Sequence, residues 1–135
     1  MSLINLEVPT RGEGFYDITA QMQLNCPSKH DGVLLIFTPH TSCALTINES
    51  FDPTAKEDME KFLKHLAPRN LKFIKHTAEG EDDSPSHMKS ILLNQSLSLI
   101  VNEGKILLGR WQGIYLAEFR DEPHSRKVHL KFIQS

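Results

Sequence analysis

The sequence has no long hydrophobic run. Its longest uninterrupted apolar stretch, Val33 to Phe37, falls far short of the roughly 18 residues that cross a bilayer. The opening residues, Met1 to Val8, lack the basic region and apolar core of a signal peptide, so the expectation is a cytoplasmic protein without a membrane partner. Cysteine is scarce: Cys26 and Cys43 cannot make a disulfide framework, and spare thiols suit a reducing compartment. Charge of one sign is also lacking. Fifteen basic against seventeen acidic residues leave a formal net charge of −2, which argues against a general nucleic-acid binder. There is no Pro/Gly/Ser linker, internal repeat or low-complexity tract. Nor is there a Gly-rich phosphate loop, and Ser42 has no glycine elbow around it, so a serine hydrolase of that type is unsupported.

What remains is a chain of 135 residues with 39% hydrophobic and 24% charged residues, the balance of one globular domain. A chain of this size buries roughly two-thirds of its unfolded surface, so it needs neither metal nor disulfide merely to fold. Seven histidines, as many as there are glycines, are the compositional excess.

The pattern predicts more strand than helix. Ile4, Leu6 and Val8 alternate as in a half-buried strand, and Gly12 and Gly14 bracket a turn. Asp17 is placed to cap a short helix that carries Ile18 and Met22 and stops at Pro27. Strands are expected at Val33–Thr38, Cys43–Asn48, Leu71–Lys75, Leu97–Asn102, Lys105–Leu108, Ile114–Phe119 and Lys127–Ile133. The principal helix starts with Asp52 as N-cap and Pro53 in its first turn, carries Ala55, Met59, Phe62, Leu63 and Leu66 on one face, and closes at Pro68. A further helix starts at Ser84 or Ser86 and runs to Leu93. Hairpins dominate and strands do not alternate regularly with helices. The expected class is therefore α+β, a single domain built on a mostly antiparallel sheet or sandwich with two or three helices.

Four constellations carry chemistry. His40 lies among hydroxyls in Thr38-Pro39-His40-Thr41-Ser42, at a break between two strong strands. Asn48 and Glu49 crowd the strand end before the main helix, where an anion is also favoured. His76 and His87 flank the acidic run Glu79 to Asp83, a mixture of imidazole and carboxylate that suits zinc or another transition ion, whereas carboxylates alone suit magnesium. A solvated acidic loop with two incidental histidines is the bland alternative. Lastly, Arg110, Trp111 and Gln112 sit between Gly109 and Gly113; Arg110 suits a phosphate, and Trp111 suits either a flat ring or the core. Glu118 is a candidate acid or base on the following strand, and His124 a minor one in a loop near Arg126. His30, His65 and His129 carry no assigned role.

The segments Pro39-His40-Thr41-Ser42, Leu45 to Glu49, His76 through Lys89, and Gly109 through Phe119 follow the order of the YjbQ-like family, and nearly the whole chain, 1–135, resembles a single domain of that family. The resemblance implies a small antiparallel α+β protein that assembles as a homotrimer. It also implies a histidine-ligated divalent metal, zinc or magnesium, and a secondary thiamine-phosphate synthase activity. That activity joins a pyrimidine pyrophosphate to a thiazole phosphate, so a small phosphorylated molecule would be the partner. Carried onto this chain, the matching polar positions are His40, Thr41, Asn48, Glu49, His76, Glu79, Asp82, Asp83, His87, Gln112 and Glu118.

Sorted by role, the expected metal ligands are His40, His76 and His87; the expected catalytic carboxylates are Glu49, Asp83 and Glu118. The expected substrate contacts are Thr41, Asn48, Lys89, Arg110, Trp111 and Gln112. A non-catalytic metal- or anion-binding oligomer and a metal-dependent hydrolase are the alternative functions. The stretch Arg120 to Arg126 departs from the short Asp-Gly-Pro-Arg turn of many relatives, which leaves Arg120 or Arg126, or neither, to contact a phosphate.

Overall fold

The computed structural model describes residues 2–135, and two antiparallel sheets face each other in it. The larger has the order β1-β8-β3-β5-β6 and the smaller β2-β7-β4. In chain order the strands are β1 (Ile4–Arg11), β2 (Gly14–Asp17), β3 (Gly32–Phe37), β4 (Cys43–Glu49), β5 (Ser96–Asn102), β6 (Lys105–Ile106), β7 (Gln112–Glu118) and β8 (Pro123–Gln134). The helices are α1 (Thr19–Leu24), α2 (Pro53–Leu66) and α3 (Asp83–Ser90). The α+β class and the antiparallel sheets are as the sequence pattern implies.

β8 is the spine of the large sheet. It pairs along its first eight residues with β1 (Arg11↔Pro123 to Ile4↔Leu130) and along its distal half with β3 (Phe37↔His129 to Gly32↔Gln134). The core between the sheets takes Leu34, Ile36, Val128 and Leu130 from the large sheet and Leu45, Ile114 and Leu116 from the small one, closed at one end by Ile18 and Met22. β7 is buried on both faces. Its Tyr115 and Ala117 turn outward into a second cluster with Phe15, Ala44, Leu63 and Phe119, which the apolar stripe of α2 covers. Asp52 caps α2 as expected, its Oδ1 accepting from Thr54 N at 2.9 Å.

The expected strand over Val33 to Phe37 forms with alternating sides: Leu34 and Ile36 point to the core, while Val33, Leu35 and Phe37 stand outside with Ile100 and Ile133. Several expectations change. Leu71–Lys75 is not a strand. It finds no ladder partner and settles into turns, one closed by Ile74 N donating to Leu71 O, with Phe73 largely exposed. β2 is a strand of four residues where only a turn and a helix cap were expected; Asp17 still anchors the start of α1 by accepting from Thr19 N and Oγ1. α3 begins at Asp83, a residue before the earliest expected start, and ends before Leu93. The β5–β6 hairpin turns through Glu103 (φ 50) and Gly104 (φ 80), both left-handed as a two-residue turn of this hand demands. A side chain at Gly104 would press on the backbone of Lys29 at 2.6 Å, so glycine is required there.

Candidate metal centre

α3 puts Asp83 and His87 four residues apart, hence on one helical face. His76 reaches the same point from the loop after α2. Asp83 Oδ2 lies 2.8 Å from His76 Nε2 and 3.2 Å from His87 Nε2, and the two rings are 5.4 Å apart between centroids. One atom from each residue can be chosen so that all three lie within 4.8 Å of one another. Ligand atoms around a tetrahedral zinc ion lie roughly 3.3 Å apart, given bonds of about 2.0 Å, and the two Asp83–histidine separations fall near that value.

Proton positions follow from the neighbours. His87 Nδ1 is 2.8 Å from the carbonyl of Thr41, which can only accept, so Nδ1 carries a proton. In a neutral ring Nε2 is then a lone pair aimed at the Asp83 carboxylate. Two acceptors face each other, and a proton or a metal cation must lie between them. A histidine donating its other ring N–H to a backbone carbonyl is the usual support of a ligating imidazole.

The carboxylate is held from behind. Arg120 Nη1 donates to Asp83 Oδ1 at 2.8 Å, Arg120 Nε to Asp82 Oδ2 at 2.9 Å, and Arg120 Nη2 to the Glu79 carbonyl at 2.9 Å. Burial raises the pKa of Asp83, but the hydrogen bonds and charges of His76, His87 and Arg120 outweigh it and leave the carboxyl below its ordinary value. Asp83 is therefore ionised and available to a cation.

A cleft of about 500 Å³ opens beside the triad, lined among others by His40, Thr41, Ser84, Ile91 and Gln95. His40 enters it in an unexpected state. Its Nε2 accepts from Lys127 N at 2.9 Å, so that nitrogen is already committed. Beneath His40, Glu118 is completely buried. It accepts from Arg126 Nε and Thr10 Oγ1, each at 2.7 Å, and from the backbone N–H groups of Phe119 and Arg120. Burial raises the Glu118 pKa; the Arg126 and Thr10 hydrogen bonds override it, and the net shift is downward. Arg126 also donates to Ser42 Oγ at 2.9 Å, so this buried pair props the turn carrying His40 and Thr41.

The other expected site residues lie elsewhere. In the register Cys43↔Glu118 to Glu49↔Gln112, the far end of β4 and β7 is about 20 Å from the end that holds Thr41. There Glu49 accepts from Phe51 N and Asp52 N, Asn48 accepts from Glu49 N, and Gln112 accepts from Gly109 N. Arg110 stacks on Trp111, and Phe51 meets the Trp111 ring edge-on. These groups shape a separate surface. Lys89 is buried with its Nζ 2.6 Å from Glu13 Oε2 and over the ring of Phe119. Of the twelve residues expected at the site, His40, Thr41, His76, Asp83 and His87 converge. Asp82, a position matched by the family resemblance, and Arg120, considered for a phosphate, instead hold the triad, as does the Thr41 carbonyl, a backbone group that no side-chain pattern marks.

The chain has relatives along its whole length. A family described as UPF0047 protein YjbQ-like matches residues 4–135. YjbQ of Escherichia coli O157:H7 is 41% identical over 126 residues, 91% of each chain. YugU of Bacillus subtilis is 35% identical over 126 residues, 92% of each. A conserved hypothetical protein from Thermus thermophilus has a solved structure that superimposes with a TM-score of 0.88 at 41% identity, covering 96% of this chain and 99% of that one. No helix among the described residues is long and apolar enough to cross a membrane.

Proposed function

The chain belongs to the YjbQ-like UPF0047 family, and from that premise we propose that His76, Asp83 and His87 bind a divalent transition-metal ion that acts on a small ligand in the adjoining cleft. The observation that carries the proposal is the geometry of His87, whose Nδ1 is held by the Thr41 carbonyl so that Nε2 faces the Asp83 carboxylate at 3.2 Å, a gap that a proton or a metal cation must fill. Two imidazoles and one carboxylate suit zinc or a neighbouring first-row ion better than magnesium, which prefers oxygen ligands. Three protein ligands are the number found in catalytic zinc sites, whereas structural sites use four. When bound, such an ion supplies Lewis-acid polarisation of an oxygen ligand.

The transferase reading, formation of thiamine phosphate, ranks second. It is supported by the family resemblance, but it needs cations where negative charge builds on departing pyrophosphate. Arg110 is on the distant surface and Lys89 is paired with Glu13, so this chain brings neither to the cleft. A trimer remains part of the proposal, and the exposed row Val33, Leu35 and Phe37 offers it an apolar face.

Elemental analysis of the purified protein tests the metal reading. About one equivalent of metal per chain is expected, lost in both His76→Ala and His87→Ala. Metal-free protein that takes up no zinc, cobalt, manganese or iron on titration would rule it out. Thiamine phosphate formed above the uncatalysed rate, abolished by Arg110→Ala, would instead favour the transferase.

A further inference from the structure

We infer that His40 is a neutral hydrogen-bond donor, not a metal ligand, and that it orients the anionic oxygen of a small carboxylate in the cleft beside His76, Asp83 and His87. The inference rests on the metal reading above and assigns the class of ligand which that site takes.

The reason lies in how β3 ends. The β3–β8 ladder stops at Phe37↔His129. Two residues before His129 in β8, Lys127 has an N–H and a carbonyl on the β3 side and no β3 residue left to pair with them. The Thr38–His40 segment takes both: Thr38 Oγ1 donates to Lys127 O at 2.9 Å, and Lys127 N donates to His40 Nε2 at 2.9 Å. The imidazole replaces the strand carbonyl that β3 no longer provides. An imidazolium has no lone pair with which to accept that bond. The ring is therefore neutral and carries its proton on Nδ1. Burial and the nearby Arg126 charge push the His40 pKa down, in the same direction.

This arrangement removes His40 from the coordination shell. Ligation through Nδ1 would move the ring proton to Nε2, where it would face the Lys127 N–H, donor against donor. His40 lines the cleft that His76 and His87 also line, and with Nε2 committed to Lys127 the donor left to it is the Nδ1 N–H. Thr41 and Ser84 add hydroxyls to the same wall, and Ile91 adds an apolar one.

Charge selects among oxygen ligands. No lysine or arginine side chain lines this cleft among the described residues. Arg120 is engaged behind Asp83 with Asp82, Arg126 with the buried Glu118, and Lys89 with Glu13. A divalent ion offset by Asp83, with Arg120 and Asp82 offsetting each other, leaves one net positive charge. A carboxylate neutralises it. A phosphate dianion would leave one excess negative charge, with no lysine or arginine among the lining residues to balance it.

Cobalt-loaded protein provides the test, since its visible spectrum reports ligand entry without any turnover. The unaltered chain, His40→Gln and His40→Asn are each titrated with cobalt, then with acetate and with inorganic phosphate. Gln keeps an acceptor for Lys127 N–H near the Nε2 position but loses the Nδ1 donor; Asn places an amide N–H near Nδ1. All three should bind cobalt alike. Acetate should bind about tenfold more weakly to His40→Gln, the effect of one hydrogen bond, and should retain most of its affinity for His40→Asn. In the unaltered chain acetate should perturb the spectrum at lower concentration than phosphate. Loss of cobalt from His40→Gln with retention in the unaltered chain would make His40 a ligand and overturn the inference while leaving the metal reading intact. Equal acetate affinity in all three, or tighter phosphate than acetate, would also overturn it. Failure of the unaltered chain to bind cobalt would overturn the metal reading and this inference together.

Discussion

Arg120 Nη1 donates to Asp83 Oδ1 at 2.8 Å while the other oxygen of Asp83 faces two imidazoles. The guanidinium turns a flexible carboxylate into a directed one. Arg120→Met should therefore lower metal affinity by about 10- to 100-fold, the usual range for loss of an outer-shell partner. Competition against a chromophoric chelator measures this. Unchanged affinity with native far-UV circular dichroism would show that Asp83 needs no such support.

The buried pair Glu118–Arg126 calls for a different readout. Arg126→Met leaves a carboxylate inside the core, fully enclosed, with its principal partner gone. The expected cost is about 3–5 kcal/mol of unfolding free energy, seen as a shift in the urea midpoint. Adding Glu118→Gln should recover part of that loss, because the orphaned charge goes with it. A double variant no more stable than Arg126→Met would mean that packing of the arginine stem, and not charge, dominates.

How much of this is legible from residues alone depends on the distance over which each signal acts. α2 was readable because its cap, Asp52, and its apolar stripe are local. His76 and His87 stood out as candidate ligands because they flank one acidic run, whereas Asp83 was read as a catalytic carboxylate and its place between the two imidazoles comes from the start of α3. The segment Leu71–Lys75 has strand composition, yet a strand exists only where another chain edge accepts it, and that is a global property. His40 illustrates the same limit. Its residue type and placement at a strand break indicated a site, but its role depends on Lys127, 87 residues away, and on where the β3–β8 ladder stops. Trp111 and Arg110 fit a substrate contact by type, but the register of β4 on β7 carries them to the opposite end.

Acid should destabilise the fold through Glu118. Its folded pKa lies below the ordinary value of 4.5, so the unfolded chain takes up its proton first as pH falls. The stabilisation is complete above about pH 4.5 and is lost as pH falls toward and through the lowered folded pKa. Thermal midpoints recorded from pH 7 to 3 should decline below that point. In Glu118→Gln this part of the decline should be absent, so its curve should run flatter although it starts lower. Parallel curves would place the acid sensitivity in other carboxylates.

Separation of the two polar surfaces has a direct consequence. Arg110→Ala and Trp111→Ala alter a surface about 20 Å from Thr41 along β4 and β7. Changes this far apart without shared partners are additive within about 0.5 kcal/mol, so each variant should bind metal within roughly twofold of the unaltered chain. A much larger loss would show that the two surfaces communicate.

Self-association can be tested on the outer face of the large sheet. Val33, Leu35 and Phe37 stand on its central strand, with Ile100 and Ile133 on the flanking strands, so their side chains form a contiguous exposed apolar patch. Such a patch favours burial against another surface. If the trimer uses it, light scattering after gel filtration should give a mass near three times 15.4 kDa for the unaltered chain. Leu35→Glu places a charge in the middle of the exposed β3 row, between Val33 and Phe37 and opposite Ser98 and Lys131, without touching the inter-sheet core, because Leu35 points away from Leu34 and Ile36. It should shift the mass toward one chain while metal content per chain stays constant. Retention of the trimer in Leu35→Glu would locate the contact elsewhere, and loss of metal together with the trimer would mean that a neighbouring chain helps to complete the triad.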